Sequence, residues 1–210
     1  MDATAAPPAT STSKNLGLAT LGAGLLIILG SIGSELADPL FILLIAAFAL
    51  ILYSIPRLHR LQAHADGAAG HWGARLVVFG GAVLILLGLT FLAWEAVGDA
   101  PDDPPAWANA LFPIGFFSFL IGVIAFAIGS IRAKVFPTIG PALMIIGLVA
   151  GVAIDMATGA FFEDDGETTA WGFLIGIPTF GLGLAWIGYW LRGGGGPTTS
   201  STTTPPTTTA

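Results

Sequence analysis

Six long apolar stretches alternate with short polar segments along this chain. Their approximate bounds are 15–33, 39–55, 76–97, 111–131, 137–157 and 171–191. About 20 apolar residues in a helix cross the roughly 30 Å of a bilayer's hydrocarbon. Five stretches meet this length, and the shorter second one can be anchored at the interface by Tyr53 and Arg57. Because no stretch alternates strictly between apolar and polar residues, a barrel is not expected. The pattern predicts an all-α, polytopic membrane protein with six transmembrane helices.

Composition supports a membrane protein. Of the 210 residues, 54% are hydrophobic and only 10% are charged, whereas soluble domains carry about 25% charged residues. A soluble fold of this size could not cover so much apolar surface with polar groups. The chain has no Cys, which excludes disulfides and thiolate metal sites. Its seven Lys and Arg residues are spread along the chain, so nucleic-acid binding is not expected.

The two ends of the chain are predicted to be disordered cytoplasmic tails around a transmembrane domain of residues 15–192. Residues 1–14 are small and polar, and residues 193–210 are almost entirely Gly, Pro, Thr and Ser. The first apolar run, Leu16–Ile32, invites comparison with a signal peptide. It is long for one, however, and no A-x-A cleavage site follows, so we interpret it as a retained helix.

Charge asymmetry between the loops predicts the orientation. With six helices, every Lys and Arg falls on one side, which the positive-inside rule makes cytoplasmic. The opposite loops carry Asp and Glu, and Trp107 and Trp171 stand at the outer ends of helices 4 and 6. Both termini are therefore expected inside, in the plasma membrane, and the Ala, Gly and Thr richness suggests a prokaryotic source. The seven basic residues are Lys14, Arg57, Arg60, Arg75, Arg132, Lys134 and Arg192.

An internal repeat is predicted from a shift of 60 residues. This shift aligns helices 1, 3 and 5, and it superimposes Glu35, Glu95 and Asp155 together with several small and apolar residues. The pattern indicates three tandem helical hairpins; the alternative is that small and apolar residues match by chance. The layout resembles, in architecture and length, the acid-resistance membrane proteins of the HdeD type. That resemblance implies a stress-related role and carries no individual residues across.

Glycines spaced along single helix faces predict close helix packing. Gly115, Gly122 and Gly129 recur every seven residues on helix 4. Helices 5 and 6 each contain a pair of glycines four residues apart, at 147 and 151 and at 172 and 176. Small residues let helix backbones approach closely where no hydrophobic force drives association. We therefore expect these positions to lie at helix contacts.

Intramembrane acids are the best candidates for chemistry. Glu95 and Asp155 are the acids within the spans, each about one turn from the outer end of its helix. Together with Glu35 they could form an acidic cluster on an ion or proton path. The alternative is that they lie at the interface and reach into water, since a 100° rotation per residue turns them away from the small-residue face. We favour the interfacial alternative.

The loop between helices 2 and 3 contains histidines and arginines. Imidazole and carboxylate ligands suit zinc, but the spacing matches no defined site and the loop glycines indicate flexibility, so ordinary loop histidines are the favoured interpretation. The possible metal ligands are His59, His64, Asp66 and His71. The basic residues expected to meet anionic lipid headgroups are Arg57, Arg60, Arg75, Arg132 and Lys134.

No catalytic constellation is present in the sequence. The spans contain no His, and neither a metalloprotease motif, a P-loop nor a dinucleotide fingerprint occurs. An enzyme and a cofactor are therefore not expected. The sequence favours a non-enzymatic structural, stress-related or partner-binding membrane protein, in contact with lipids and with a protein partner or a second copy. The alternative is a small channel or transporter for protons or cations that uses Glu95 and Asp155.

Overall fold

The computed structural model describes residues 11–33, 41–97, 105–158 and 171–193. All six helices in these ranges are long and apolar enough to cross a membrane, with candidate spans of 20 to 31 residues. This confirms the prediction of an all-helical chain with six such helices. They are α1 (Ser11–Gly33), α2 (Phe41–Gln62), α3 (Gly67–Val97), α4 (Ala106–Ala133), α5 (Ile139–Thr158) and α6 (Trp171–Arg192).

Helices α2 and α3 extend far beyond their predicted apolar spans, towards each other. α2 continues past residue 55 to Gln62, and α3 begins at Gly67 rather than at residue 76. The predicted flexible loop was therefore wrong, because Gly70 and Gly73 are helical and buried and only residues 63–66 form a turn. Hydropathy marks only the apolar part of a helix, so extensions of the helix with more polar residues are not predicted by it.

The other helix boundaries differ less from the predictions. α1 begins at Ser11, so the last residues of the predicted tail 1–14 are helical, and α4 begins five residues before position 111. α4 ends where Lys134 adopts a left-handed conformation with φ 53°, a common way to end a helix. Helices α5 and α6 agree with prediction to within two residues. Residues 1–10 and 194–210 of the predicted tails lie outside the described residues.

The six helices pack as a ring in which each contacts its neighbours in sequence and α6 returns to α1. Neighbouring helices run antiparallel: Gly22 and Gly30 of α1 face Leu50 and Leu44 of α2, while Gly81 of α3 faces Leu52. This order brings the starts of α1, α3 and α5 to the same end as the ends of α2, α4 and α6. All seven Lys and Arg residues lie at or near that end, which we call the basic end.

Glycines form the contact between α3 and α4. A Cβ added at Gly122 would lie 2.5 Å from the backbone nitrogen of Val77, and one added at Gly129 would lie 2.7 Å from the backbone of Gly70. Gly115 is buried on the same seam, against Val83. The expectation from the seven-residue spacing is thereby confirmed: these three glycines line one helix contact.

The same arrangement joins α5 to α6 and α6 to α1. Gly147 and Gly176 face each other, since a Cβ on either would lie 2.6 Å from the carbonyl oxygen of the other. Gly24 of α1 and Gly181 of α6 approach as closely. Helix α1 therefore makes its glycine-to-glycine contact with α6. In its contact with α2, glycines of α1 pack against leucine side chains. The first predicted hairpin therefore differs in its packing from the other two, and triplication stays a prediction.

Aromatic and aliphatic side chains fill the interior of the ring. Phe119 of α4 packs against Phe48 of α2 with ring centroids 5.0 Å apart and against Phe180 of α6 at 6.0 Å. Phe126, Met144 and Ile187 are fully buried in the same cluster. Thr20 and Ser130, which are buried near it, donate hydrogen bonds to carbonyls of their own helices at 2.9 Å. The described side chains that cluster at the centre of the bundle are therefore mainly apolar.

Candidate functional sites at the two ends of the bundle

The candidate acids at the end opposite the basic end have different surroundings. Glu95 lies on the last turn of α3 and is exposed, whereas Asp155 of α5 is half-buried. Asp155 accepts a hydrogen bond of 2.7 Å from the backbone N–H of Gly172. Glu35 lies outside the described residues. Because α3 and α5 do not pack on each other, the described structure does not bring Glu95 and Asp155 together.

Asp155 acts locally as a cap on another helix. Gly172 is the second residue of α6, and its N–H has no partner within that helix. A carboxylate at this position satisfies the donor and meets the positive end of the helix dipole. The rotation of 100° per residue did not predict this contact. Gly151 and Gly172 bring the two backbones so close that Asp155, one turn after Gly151, reaches α6. The i, i+4 spacing from Gly151 was the available signal.

At the basic end, a buried carboxylate is paired with an imidazole. Nδ1 of His59 lies 2.6 Å from Oδ2 of Asp66, and the Asp66 side chain is 1% exposed against 18% for His59. Asp66 sits in the turn before α3, and its backbone carbonyl accepts the N–H of Gly70. The pair thus ties the end of α2 to the start of α3. The sequence offered both residues only as metal ligands, and their seven-residue separation did not reveal this pairing.

The structure does not assemble the predicted metal ligands. The rings of His59 and His71 lie 5.6 Å apart, and His64 is exposed on the turn. Within the ranges that the structure describes, no group of three or more His, Asp or Glu side chains could hold a metal ion. His59 already directs one ring nitrogen to Asp66, so its geometry serves the α2–α3 connection.

Two arginines at the basic end lie against aromatic rings. The guanidinium of Arg57 sits 3.5 Å from the ring centroid of Tyr53 and donates a hydrogen bond of 2.7 Å to the carbonyl of that residue. The guanidinium of Arg75 lies 5.2 Å from the ring centroid of Trp72. Both arginines are exposed. These contacts restrict the side chains while leaving donor groups available to a ligand.

Aromatic residues are concentrated at both ends of the bundle. Trp72 near the basic end and Trp94 near the other are 22 positions apart on α3, which corresponds to about 33 Å at 1.5 Å per residue. Trp94 packs on Trp107 of α4 with ring centroids 6.0 Å apart, and Trp171 is exposed at the start of α6. The spacing is close to the thickness of a bilayer's hydrocarbon, roughly 30 Å, at whose edges such rings accumulate.

Two buried polar side chains of α2, Ser54 and Gln62, lack a hydrogen-bond partner among the described residues. Gln62, the last residue of α2, is 1% exposed, and neither its amide nitrogen nor its oxygen has a hydrogen-bond partner among the described residues. It continues the buried stripe of Ile55 and Leu58 on the core side of α2. The burial of Gln62 could not be predicted from hydropathy, because the residue lies beyond the predicted span.

No protein-family model, no curated protein and no solved structure matches this chain.

Proposed function

We propose that this protein is a non-enzymatic, multi-pass protein of the prokaryotic plasma membrane, with both termini in the cytoplasm and a structural, stress-related or partner-binding role. Its six helices would be arranged as three tandem hairpins, in contact with lipids and with a protein partner or a second copy. The location of every Lys and Arg at one end of the bundle supports this orientation, because the positive-inside rule assigns that end to the cytoplasm.

The apolar interior is the observation that carries the non-transport proposal. Phe119 packs against Phe48 on one side and Phe180 on the other. Among the described acids that would line an ion path, Glu95 and Asp155 lie on helices that do not pack on each other. An ion in the hydrocarbon region needs water or polar groups around it throughout its path. Asp155 instead binds the start of α6, which gives this carboxylate a structural task.

An ion-flux assay tests the proposal. Purified protein reconstituted into liposomes should pass protons, sodium and potassium at rates within about twofold of protein-free liposomes, because an apolar interior presents a high barrier to ions. The double variant Glu95→Gln and Asp155→Asn should behave like the wild type. Fluorescence of an enclosed pH dye, with counter-ion gradients for the two metals, provides the measurement, and an ionophore added at the end verifies that the vesicles are sealed.

A wild-type flux well above the control that disappears in the double variant would contradict this proposal and establish the channel alternative. The single variants would then separate the two acids. Glu95 is exposed, whereas Asp155 also caps α6, so a structural loss at Asp155 would be recognised by a lower thermal stability of Asp155→Asn without a matching change in Glu95→Gln.

A further inference from the structure

The outward faces of α2 and α3 near the basic end carry a concentration of basic groups. On α2, Tyr53, Arg57 and Arg60 are four and three residues apart, which places them on one face, and all three are exposed. On α3, His71 and Arg75 are also four residues apart and exposed. We call Arg57, Arg60, His71 and Arg75 the α2–α3 basic patch.

The register of the two helices places these residues at similar heights. The rings of His59 and His71 lie 5.6 Å apart, and two to three turns further from the basic end, a Cβ on Gly81 would lie 2.8 Å from the side chain of Leu52. In this antiparallel register, Arg60 stands level with His71 and Arg57 stands level with Arg75.

Helix rotation places the two sets on the same side of the α2–α3 contact. At 100° per residue, Arg60 and Arg57 lie about 80° and 140° round α2 from the Leu52 direction. His71 and Arg75 lie about 80° and 120° round α3 from the Gly81 direction. Because the two helices are antiparallel, these rotations turn the side chains to the same side of the α2–α3 contact as Arg57 and Arg60. The four basic side chains therefore flank one outward groove.

The positive charge of the patch is not neutralised within the described part of the chain. The one ion pair there is between His59 and Asp66, and the Asp66 carboxylate is buried beneath the surface. Arg57 and Arg75 are held against Tyr53 and Trp72. Guanidinium groups with fixed planes and free N–H donors are suited to bidentate binding of phosphate.

The surface next to the patch is apolar and lies within the candidate membrane span of α3. Phe79 and Leu86 continue the exposed face of α3 away from the basic end, and both are more than half exposed. Trp72 is also more than half exposed and lies next to the patch on α3. A ligand with a phosphate and hydrocarbon chains would meet the patch and this face together, whereas a free phosphate would meet only the patch.

We propose that the α2–α3 basic patch binds the headgroup of an anionic phospholipid, whose chains lie along the outward face of α3. The proposal rests on the proposed function in one respect, since the bundle must be embedded in a membrane. It makes the His59–Asp66 pair a positioning element, because this pair fixes the end of α2 against the start of α3 and so sets the spacing of the arginines.

Lipid binding to the detergent-solubilised protein, measured by native mass spectrometry, tests the proposal. The probes are phosphatidylglycerol and phosphatidylcholine of the same chain length. We expect the triple variant Arg57→Gln, Arg60→Gln and Arg75→Gln to lose phosphatidylglycerol affinity by tenfold or more, since each basic residue next to the anionic headgroup contributes about fivefold. The control changes Lys14 and Arg192 to Gln, which removes charge from the same end at two exposed positions outside the patch, and should lose less than about threefold.

An equal loss of phosphatidylglycerol affinity per removed charge in the two variants would overturn the proposal, because binding would then follow total charge at the basic end. Equal affinity of the wild type for the two lipids would overturn it as well. If the triple variant does not fold, the single variants Arg57→Gln and Arg75→Gln are compared with Arg192→Gln. Competition by inorganic phosphate at millimolar concentration should be weak, and full displacement would show a free-anion site instead. Binding in detergent depends on neither orientation nor ion flux, so this proposal and the proposed function fail separately.

Discussion

Replacing Gly80 with leucine should abolish the native packing of α3 on α4. A Cβ at this position would lie 2.5 Å from the carbonyl oxygen of Gly115 and would overlap the backbone nitrogen of Phe119. Backbone atoms cannot move aside as a flexible side chain can, so the two helices would have to separate along the seam. Overpacking of a tight core typically costs 1–3 kcal/mol, and we expect a loss of about 3 kcal/mol or more in the free energy of unfolding for Gly80→Leu.

Ala82 provides a matched control two residues away on the same helix. It is exposed on the outward face of α3, where a leucine would meet only lipid or detergent. Ala82→Leu should stay within about 0.5 kcal/mol of the wild type, as surface substitutions usually do. Unfolding in a mixed detergent series, followed by circular dichroism, measures both variants. Similar losses at the two positions would contradict the glycine-seam account.

Replacing His59 with leucine should cause the second-largest loss in the free energy of unfolding. It would leave the Asp66 carboxylate, 1% exposed, with no partner among the described residues. Removing one member of a buried charged pair typically costs 3–5 kcal/mol; because His59 is partly exposed, we expect about 2–3 kcal/mol for His59→Leu. Thermal unfolding in detergent, with unfolding free energies from a denaturant series, provides the measurement.

A double-variant cycle separates the pairing from other effects of the substitution. In His59→Leu combined with Asp66→Ala, no buried carboxylate is left unpaired, so at least half of the lost stability should return. The control is His64→Leu, a histidine on the turn that is exposed and outside the pair. If His59→Leu is no more destabilising than His64→Leu, the pair does not hold α2 to α3.

The number of helices was predictable because hydrocarbon thickness imposes a minimum length on every apolar span. The ends of the helices were not predictable from the same signal. α2 continues through Pro56 to Gln62, and α3 starts nine residues before its predicted span. These extensions are stabilised by contacts such as the burial of Leu58 and Gly73, which depend on where neighbouring helices lie. Local hydropathy contains no information of that kind.

The features of the candidate sites also differ in whether the sequence could predict them. The glycine seam of α4 followed from spacing alone, because residues seven apart return to the same helix face. The partner of Asp155 could not be predicted from spacing, since its hydrogen bond from Gly172 depends on the distance between α5 and α6. The pairing of His59 with Asp66 likewise depends on the short turn at 63–66. The glycines of this region had predicted a flexible loop instead of that turn.

Cysteine labelling tests the central claim, a six-span bundle with its basic end in the cytoplasm, most directly. The chain has no native Cys, so single cysteines can be placed at Ala65 in the α2–α3 turn and at Ala100 between α3 and α4. In intact cells, a membrane-impermeant maleimide should label Ala100→Cys and should label Ala65→Cys only after the membrane is opened. Labelling of both cysteines from the same side would contradict the account.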